Sequence, residues 1–363
     1  MRPLFLNPSG FGNSHALSGG WMPARLARLA GTIPGAKLVD ARVEGCTAQE
    51  MVLLARGFDR IFVDSGWRPA DAVRVARALR QAEPRVRIAA VVHQDQSEPH
   101  GFEWDARIPY GDADAACAFA GAVEKETHDE ISVYARDLRI ERYRLPILAW
   151  PYLALDGSDR SVDEIASLAN AAKYHFPKVR DLYLVGSPLS GDSKRADLLA
   201  NALAPIGMRW SCAMEPSLES SALAALAESG LRTIRARMHG TVDMDRSRRF
   251  SEDCRRLGIS VQGLFMLGKD GETSDSIDNT LRYALSTALD AIQINLAPKS
   301  ESLSLEELQT GSRRIVRRFY LRPKTLSRQI LRTLREADNR GAAMRETRAL
   351  LRSIWDGRAG TPS

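Results

Sequence analysis

Seven polar residues in the second half of the chain each follow a buried, strand-like run, and their types could do chemistry. They are Asp156, Ser187, Glu215, His239, Asp270, Glu272 and Lys299. Because the carboxyl ends of parallel strands meet at one edge, one interpretation gathers them into a polar pocket where His239 and carboxylates bind a metal. The other interpretation makes them solvated loop residues. No His-x-x-His or His-x-Glu spacing supports a metal, so the sequence favours the second interpretation and predicts no metal site.

Two glycine-bearing turns are further candidates for ligand binding. Residues 268–273, with Gly268 and Gly271, precede a helix and could hold an anion at its N-terminus. Asp270 and Glu272 in that turn repel phosphate, so a structural turn that caps the helix is the favoured interpretation. Residues 186–191, which begin at Gly186, form a second loop. This loop either borders a ligand-binding site or only connects two elements.

The four cysteines, Cys46, Cys117, Cys212 and Cys254, are far apart in the sequence. Their spacing is neither that of a Cys-x-x-Cys motif nor that of a secreted disulfide framework, so we expect reduced thiols in a cytoplasmic protein. Cys212 lies within a predicted strand and Cys254 on the apolar side of a predicted helix, which favours small core residues. Thiols from distant strands that meet around a cluster are the disfavoured alternative, because these positions are not strand-end loops.

The elements that must position these residues follow from the pattern of apolar runs. A chain of 363 residues with 44% hydrophobic residues can bury enough core for two domains. In the first hundred residues, apolar runs at 4–7, 36–40, 60–64 and 86–92 alternate with amphipathic helices. Thr47, with Glu50 three residues later, predicts a capping box. This alternation predicts a flavodoxin-like or Rossmann-like parallel sheet for residues 1–100.

A polar, strand-poor stretch at 101–145 is predicted to be a linker that retains a remnant of the sheet edge. The alternation of strands and helices resumes after it. Strands are predicted at 151–155, 181–185, 209–214, 233–237, 261–267 and 291–296, with amphipathic helices between them. Six strand–helix units predict a partial (β/α)6 barrel at 146–300. Residues 301–363 are predicted to be a basic helical tail.

Positive charge is concentrated in that tail. Residues 313–352 contain thirteen Lys or Arg and three acidic residues, whereas the whole chain has a net charge of +6. The stretch from Arg313 to Arg335 has a basic amphipathic pattern suited to an anionic membrane surface. A solvated face packed on the barrel is the favoured alternative, and nucleic acid is disfavoured because no recognition module is present. With no signal peptide or membrane span in the pattern, we expect a cytoplasmic protein that can lie on the inner face of the membrane.

Several segments resemble a known family. Residues 258–280 contain a strand, a glycine-rich turn and a helix opened by Thr273. They resemble the late strand and Leu-Gly-x-Pro-Gly-Glu-Thr turn of cobalamin-binding radical S-adenosylmethionine (SAM) enzymes. The segments at 4–8, 34–40, 134–141, 210–212 and 318–324 resemble, in the same order, the hopanoid-biosynthesis-associated radical SAM family. That family combines an N-terminal cobalamin (B12)-binding-type domain with a radical SAM barrel and acts on ribosylated or cyclitol-bearing hopanoid lipids.

The resemblance implies a [4Fe–4S] cluster, SAM and cobalamin as cofactors, but this chain departs from the family where those groups would bind. The family has a Cys-x3-Cys-x2-Cys loop after the first barrel strand, whereas residues 153–161 run into a helix without a cysteine. His239 stands where the family has a SAM-binding glutamate, and Asp270 replaces the proline of the glycine-rich turn. Residues 297–302 replace a late Pro-x-Pro-Gly-Thr turn, and the Asp-x-His-x-x-Gly cobalt motif is absent.

We therefore expect a degenerate member of the family, a pseudoenzyme that is an accessory of an active radical SAM homologue. Its barrel mouth binds a lipid headgroup or nucleoside, and the resemblance to lipid-modifying enzymes favours hopanoid or membrane contact through the basic tail. Three alternatives stay open. They are a radical SAM enzyme of hopanoid side-chain modification with unusual cluster ligation, a barrel enzyme repurposed around His239, Glu215 and Asp270, and a cobalamin or nucleotide store.

Overall fold

The structure is a computed structural model that describes residues 2–8, 22–66, 69–93, 99–122, 129–143, 152–186, 189, 192–238, 244–296 and 302–322. The chain divides into two compact units. The first unit comprises residues 1–145, 151–156 and 174–177, and the second comprises residues 146–150, 157–173 and 178–363. Two parallel β-sheets form the scaffold.

A five-stranded sheet is built from β1 (Pro3–Asn7), β2 (Lys37–Asp40), β3 (Arg60–Asp64), β4 (Arg87–Val92) and β5 (Ala106–Pro109). Its order is β2-β1-β3-β4-β5, and the described strand pairs are parallel. This is the doubly wound order of flavodoxin-like folds, which confirms the class predicted from the first hundred residues. The strands β1 to β4 are short runs that are mostly apolar and buried on both faces, and the rings of Phe5 and Phe62 stack at 4.2 Å between β1 and β3.

Among the described residues, six helices accompany this sheet. They are α1 (Ala24–Ala30), α2 (Ala41–Glu44), α3 (Ala48–Leu54), α4 (Pro69–Ala82), α5 (Ala113–Ala120) and α6 (Glu130–Asp137). The predicted capping box is present, since the Thr47 amide donates to Glu50 at 2.7 Å and Thr47 Oγ1 accepts from the Glu50 amide at 3.3 Å. Residues 101–145, predicted to be a linker, contain β5, α5 and α6. These elements are too short for their periodicity to stand out in the sequence.

A six-stranded sheet contains β6 (Tyr152–Asp156), β7 (Asp181–Val185), β8 (Arg209–Met214), β9 (Leu231–Arg237), β10 (Ser260–Leu267) and β11 (Ala291–Leu296). Its order, β11-β10-β9-β8-β7-β6, follows the chain one strand at a time, and the pairs from β7 to β11 are parallel. Within the described residues the order is open, ending at β6 and β11. A partial barrel of six strands, rather than a closed one, is therefore confirmed.

The helices of this half are α7 (Val162–His175), α8 (Ser193–Leu203), α9 (Ser220–Glu228), α10 (Met244–Arg256), α11 (Ser274–Ser286) and α12 (Leu305–Tyr320). Helix residues contact one face of the six-stranded sheet: Trp210 Nε1 donates to Ser229 Oγ, the Phe265 ring meets Tyr283, and the Ile292 amide donates to Tyr320 Oη. Because side chains alternate along a strand, residues such as 211, 233, 235, 262 and 293 lie on the opposite face. We call that opposite face the inner face.

Helix α12 carries the part of the basic tail that the structure describes. Its apolar side chains, Leu308, Ile315, Val316 and Phe319, are buried in packing with α11 and β11. Arg313, Arg314, Arg317 and Arg318 lie on its exposed side. The rest of the predicted basic stretch, from residue 323 to Arg335, lies outside the described residues. Among the described helices, none combines the length and apolar character needed to cross a membrane.

Candidate functional sites

Buried polar residues are concentrated at the carboxyl ends of the strands in the five-stranded sheet. Asn7 ends β1, Asp40 ends β2, Asp64 ends β3, and all three are at most 6% exposed. The strand order reverses between β1 and β3. In open parallel sheets, ligands bind at such a reversal, in the crevice outside the strand ends. We call this group of residues, together with the side chains that bond to it, the switch-point cluster.

One half of the switch-point cluster is centred on Asp40. Its two carboxylate oxygens accept from Arg42 Nε and Nη2, each at 3.2 Å, and Tyr143 Oη donates to Oδ2 at 2.9 Å. With its amide oxygen turned toward the guanidinium, Asn7 accepts from Arg42 Nη2 at 2.7 Å. Burial by itself lowers the pKa of Arg42, but the nearby Asp40 carboxylate more than offsets this, so the pKa is raised overall. Burial and Asp40 both raise the pKa of Tyr143. The guanidinium therefore stays charged, and the Tyr143 hydroxyl keeps its proton and acts as a donor.

The other half of the switch-point cluster is centred on Asp64. Tyr110 Oη donates to Asp64 Oδ1 at 2.5 Å, and the Gly66 amide donates to the same oxygen at 3.1 Å. Burial raises the pKa of Asp64, and Tyr110 and Arg42 only partly oppose that shift. The pKa of Tyr110 is also raised, by burial and by the Asp64 charge. Asp64 is thus a carboxyl group whose protonated form the fold favours, with a phenol as its hydrogen-bond partner.

A ring-lined surface lies over the end of β3. The rings of His93 and Tyr110 lie 5.1 Å apart, and a Cβ atom added at Gly66 would come within 3.0 Å of both. Glycine at position 66 therefore lets the imidazole and the phenol approach the backbone of the strand end. Ser65, next to it, is 3% exposed and its hydroxyl donates to the Val91 carbonyl.

The sequence predictions missed the switch-point cluster, although one signal was present. Asp40 and Asp64 are the last residues of strands that the apolar pattern places correctly, and the ends of parallel strands share one edge. Tyr110 and Tyr143 had no comparable signal, because both follow elements within the stretch predicted to be a linker.

Among the residues predicted to line a pocket, Asp156 is buried. It ends β6, and its Oδ2 accepts from Arg28 at 3.0 Å, with Arg25 Nε at 3.7 Å from Oδ1. The Asp156 amide donates to the buried Glu130 at 3.2 Å. This carboxylate is thus engaged by two arginines of α1.

Gly186 lies at the end of β7 with φ of +93°. A Cβ atom there would lie 2.3 Å from Ser158 Oγ and 3.2 Å from the Ser158 amide nitrogen. The close approach of the loop after β6 therefore requires glycine at this position. Ser187, His239 and Lys299 lie outside the described residues.

Glu215 follows β8, Arg237 ends β9, and the two form a half-exposed ion pair with 3.5 Å between Oε1 and Nη1. Among the described residues, no group of three His, Cys, Asp or Glu side chains is placed to hold a metal.

The turn at 268–273 has its amide groups engaged by the protein itself. The Gly268 and Lys269 amides donate to Glu272, the latter at 3.2 Å. Thr273 forms a capping box with Ser276 at the start of α11. Asp270 and Gly271 are exposed, and Gly271 has φ of +74°. Because an anionic side chain already accepts the amide hydrogens, this geometry is that of a structural turn rather than of an anion site.

None of the four cysteines forms a disulfide, and they lie in or beside four different elements. Burial raises the pKa of Cys212 to about 12, and burial also raises the pKa of Cys254. Cys117 is buried on α5 with its Sγ 3.6 Å from the Thr32 carbonyl oxygen. Cys46 follows α2, and burial, followed by the charges of nearby carboxylates, raises its pKa. The raised pKa values of Cys46, Cys212 and Cys254 favour the protonated thiol, which is typical of structural cysteines.

No protein-family model and no curated protein matches the chain. Solved structures do resemble it. The radical SAM methyltransferase TsrM from Kitasatospora setae, with cobalamin and a [4Fe–4S] cluster bound, is 12% identical with a TM-score of 0.50, covering 82% of this chain and 74% of that one. The structure of the same enzyme with tryptophan and a SAM analogue bound is also 12% identical, with a TM-score of 0.47. That comparison covers 82% of this chain and 72% of the enzyme. At this identity the likeness concerns the fold alone: the chain has a fold similar to that of this radical SAM methyltransferase.

Proposed function

We propose that this chain is a radical SAM-like protein related to hopanoid lipid biosynthesis that works without a [4Fe–4S] cluster. In this proposal it is a non-catalytic accessory of an active radical SAM homologue and binds a lipid headgroup or nucleoside at the mouth of its partial barrel. The placement of the four cysteines is the observation that carries the proposal.

Reductive cleavage of SAM needs an iron–sulfur cluster held by cysteine thiolates. The segment between β6 and α7 contains no cysteine, although the resembling family has its cluster loop there. Cys212 and Cys254 are buried thiols with raised pKa values, and Cys46 and Cys117 belong to the first unit. These residues do not fit a [4Fe–4S] cluster of that kind.

The scaffold around the missing cluster loop keeps the signals of a stable fold. Capping boxes open α11 and α12, and the strands β7 to β11 keep a parallel register. Such agreement between local signals and tertiary structure is typical of a sequence that specifies one fold. A preserved scaffold with a half-exposed Glu215–Arg237 pair at the strand ends supports ligand binding rather than radical chemistry.

Charge on α12 supports contact with an anionic surface. Because the apolar side of α12 is buried, its exposed arginines attract anionic headgroups without inserting into the lipid. Such attraction is screened by salt. We expect the protein to sediment with vesicles that contain anionic lipid at low salt, and to dissociate from them as the salt concentration rises.

The switch-point cluster favours a second role, corrinoid binding by the first unit. The cluster offers an imidazole, His93, and buried hydrogen-bonding groups, including Asp64 and Tyr110, at the position where parallel sheets bind ligands. These residues fit a corrinoid, with His93 as the metal-binding group; cobalamin bound there would supply cobalt chemistry. We expect hydroxocobalamin to bind with a changed absorbance spectrum, and His93→Ala to remove the change. His100→Ala, in an exposed turn, is the matched control.

The cluster content of the protein tests the main proposal. We would purify it anaerobically, reconstitute it with iron and sulfide, and quantify iron, sulfide and cobalt beside a cluster-bearing radical SAM enzyme treated in the same way. We expect iron and sulfide far below the four of each in a [4Fe–4S] cluster. A variant with all four cysteines changed to serine is the control, because adventitious iron is unchanged in it. Near-stoichiometric iron and sulfide that this variant loses would refute the proposal and favour unusual cluster ligation.

A further inference from the structure

A hydrogen-bonded row of polar side chains crosses the inner face of the six-stranded sheet. It contains Tyr183 of β7, Arg235 of β9, Gln262 of β10, and Gln293 and Asn295 of β11. We call these five residues the polar row. All of them belong to the second unit.

Strand register explains why these residues meet. Arg235 is directly opposite Gln262, and Met266 is opposite Asn295. Their neighbours along the strands, such as Ile234 and Phe265, point to the helix side and are buried. By contrast, Gln262, Gln293 and Asn295 are partly exposed, and Met266 beside them is 47% exposed. Solvent therefore reaches the members of the polar row on β10 and β11, whereas Tyr183, Arg235 and the helix side of the strands are buried.

Arg235 fixes the orientation of two amide groups. A guanidinium only donates hydrogen bonds and stays charged at any ordinary pH. Arg235 Nε donates to Gln262 Oε1 at 3.0 Å, and Nη2 donates to Gln293 Oε1. Both glutamines must therefore turn their oxygens toward Arg235. Their –NH2 groups, which are donors, point away from it.

The hydrogen bond from Gln293 fixes the orientation of the Asn295 amide as well. Gln293 Nε2 donates to Asn295 Oδ1 at 2.9 Å, so the oxygen of Asn295 is used as an acceptor and its –NH2 group is directed elsewhere. Arg237 lies on the same face as Arg235, two residues nearer the carboxyl end of β9, and its side chain is 45% exposed. At this end of the sheet the inner face thus offers the –NH2 group of Asn295 and the guanidinium of Arg237, which pairs with Glu215 at 3.5 Å.

We propose that the inner face binds an anionic oxygen group, a phosphate or a carboxylate, of a small ligand. Asn295 and Arg237 bind the group, and Arg235 is the positioning residue that fixes the amide orientation of Asn295 through Gln293. Hydrogen bonds from amides and a guanidinium to ionised oxygens are stronger than those to neutral oxygens. This inference deepens the ligand-binding role proposed above and rests on it, since it names the chemical class of the ligand.

Calorimetric titration of the full-length protein tests the inference. The probes are ribose 5-phosphate, ribonate and ribose, because the three share a similar hydroxyl-rich body and differ in the anionic group. We expect at least one of the two anions to bind at least tenfold more tightly than ribose, and the better anion identifies phosphate or carboxylate as the group. Failure of both anions to bind, or equal binding of ribose, refutes the inference.

An isosteric variant locates the site. Asn295→Asp replaces the donor –NH2 by a charged oxygen while keeping the acceptor for Gln293, so we expect anion affinity to fall by about tenfold or more. Asn201→Asp, at an exposed position on α8, makes the same charge change away from the polar row and is the matched control. Unchanged anion affinity in Asn295→Asp would contradict the inference.

Arg235→Lys tests the positioning role. Lysine keeps the positive charge but cannot hold two amide oxygens in the fixed fork of a guanidinium. The amides can then turn, so we expect the preference for the anion over ribose to fall several-fold, a ratio that a loss of stability alone does not move. An unchanged preference would remove Arg235 from the proposal. Cluster assembly refutes the proposed function whatever the titration shows, whereas absent anion binding in a cluster-free protein refutes only this inference.

Discussion

The strand ends of the two sheets differ in how their polar groups are used. In the five-stranded sheet, Asp40 and Asp64 are buried and bonded to side chains from other elements. In the six-stranded sheet, Glu215 and Arg237 are half-exposed and Glu272 bonds to its own turn, whereas Asp156 at the end of β6 is buried like the residues of the other sheet. The difference teaches that polar residues after a strand are of two kinds. Those in a buried network are needed for folding, whereas exposed ones can change at little cost and are available to a ligand.

The largest effect is expected where the buried network is cut. Asp40→Ala removes the carboxylate that Arg42 and Tyr143 bond inside the first unit, so we expect the free energy of unfolding to fall by about 3 kcal/mol. Urea denaturation of the full-length protein followed by circular dichroism measures it.

Glu215→Ala supplies the matched comparison, because it also removes a carboxylate that pairs with an arginine at a strand end. Its half-exposed ion pair predicts a loss of about 0–1 kcal/mol. Equal losses of unfolding free energy in Asp40→Ala and Glu215→Ala would contradict the distinction between buried and half-exposed carboxylates.

Gly186→Ala tests whether close packing at the end of β7 contributes to the stability of the six-stranded sheet. Alanine would have to adopt a positive φ and place its Cβ against Ser158, so we expect a loss of about 2 kcal/mol in the same urea experiment. Adding Ser158→Ala should recover part of that loss, because the nearest atom is the serine hydroxyl oxygen. A double variant no better than the single one would place the cost in the backbone alone.

Asp64→Asn tests the buried network through the pH dependence of the unfolding free energy. The fold raises the pKa of Asp64, so the protonated carboxyl stabilises the native state at low pH, and this contribution is lost as the pH rises through the folded pKa. Unfolding free energies measured from pH 3 upward should therefore shift in favour of the variant as the pH increases. A difference between variant and wild type that is constant with pH would mean that Asp64 titrates normally.

A small effect is expected at the turn before α11. Glu272→Ala leaves the Gly268 and Lys269 amides to bond with water, which we expect to cost about 1 kcal/mol. Asp270→Ala, two residues away and exposed, should change the unfolding free energy by less than about 0.5 kcal/mol. If Asp270→Ala has the larger effect, the turn has a role beyond capping.

Sequence reasoning placed the strands better than it placed the sites. The predicted strands at 181–185, 209–214 and 291–296 have the bounds of β7, β8 and β11, because apolar runs between turn residues are a local signal. The pocket residues were chosen by their place after strands. That rule cannot separate a carboxylate bonded by two arginines, such as Asp156, from an exposed one, such as Glu215.

The sequence by itself determined the α/β alternation and the capping boxes. Each of these depends on residues that are neighbours along the chain. Only the tertiary structure decided that residues as distant as Asn7 and Tyr143 join one cluster, and that Arg235 orients the amides of β10 and β11. The physical reason is that periodicity and caps act within a few residues, whereas strand order and register decide which distant side chains can exchange a hydrogen bond.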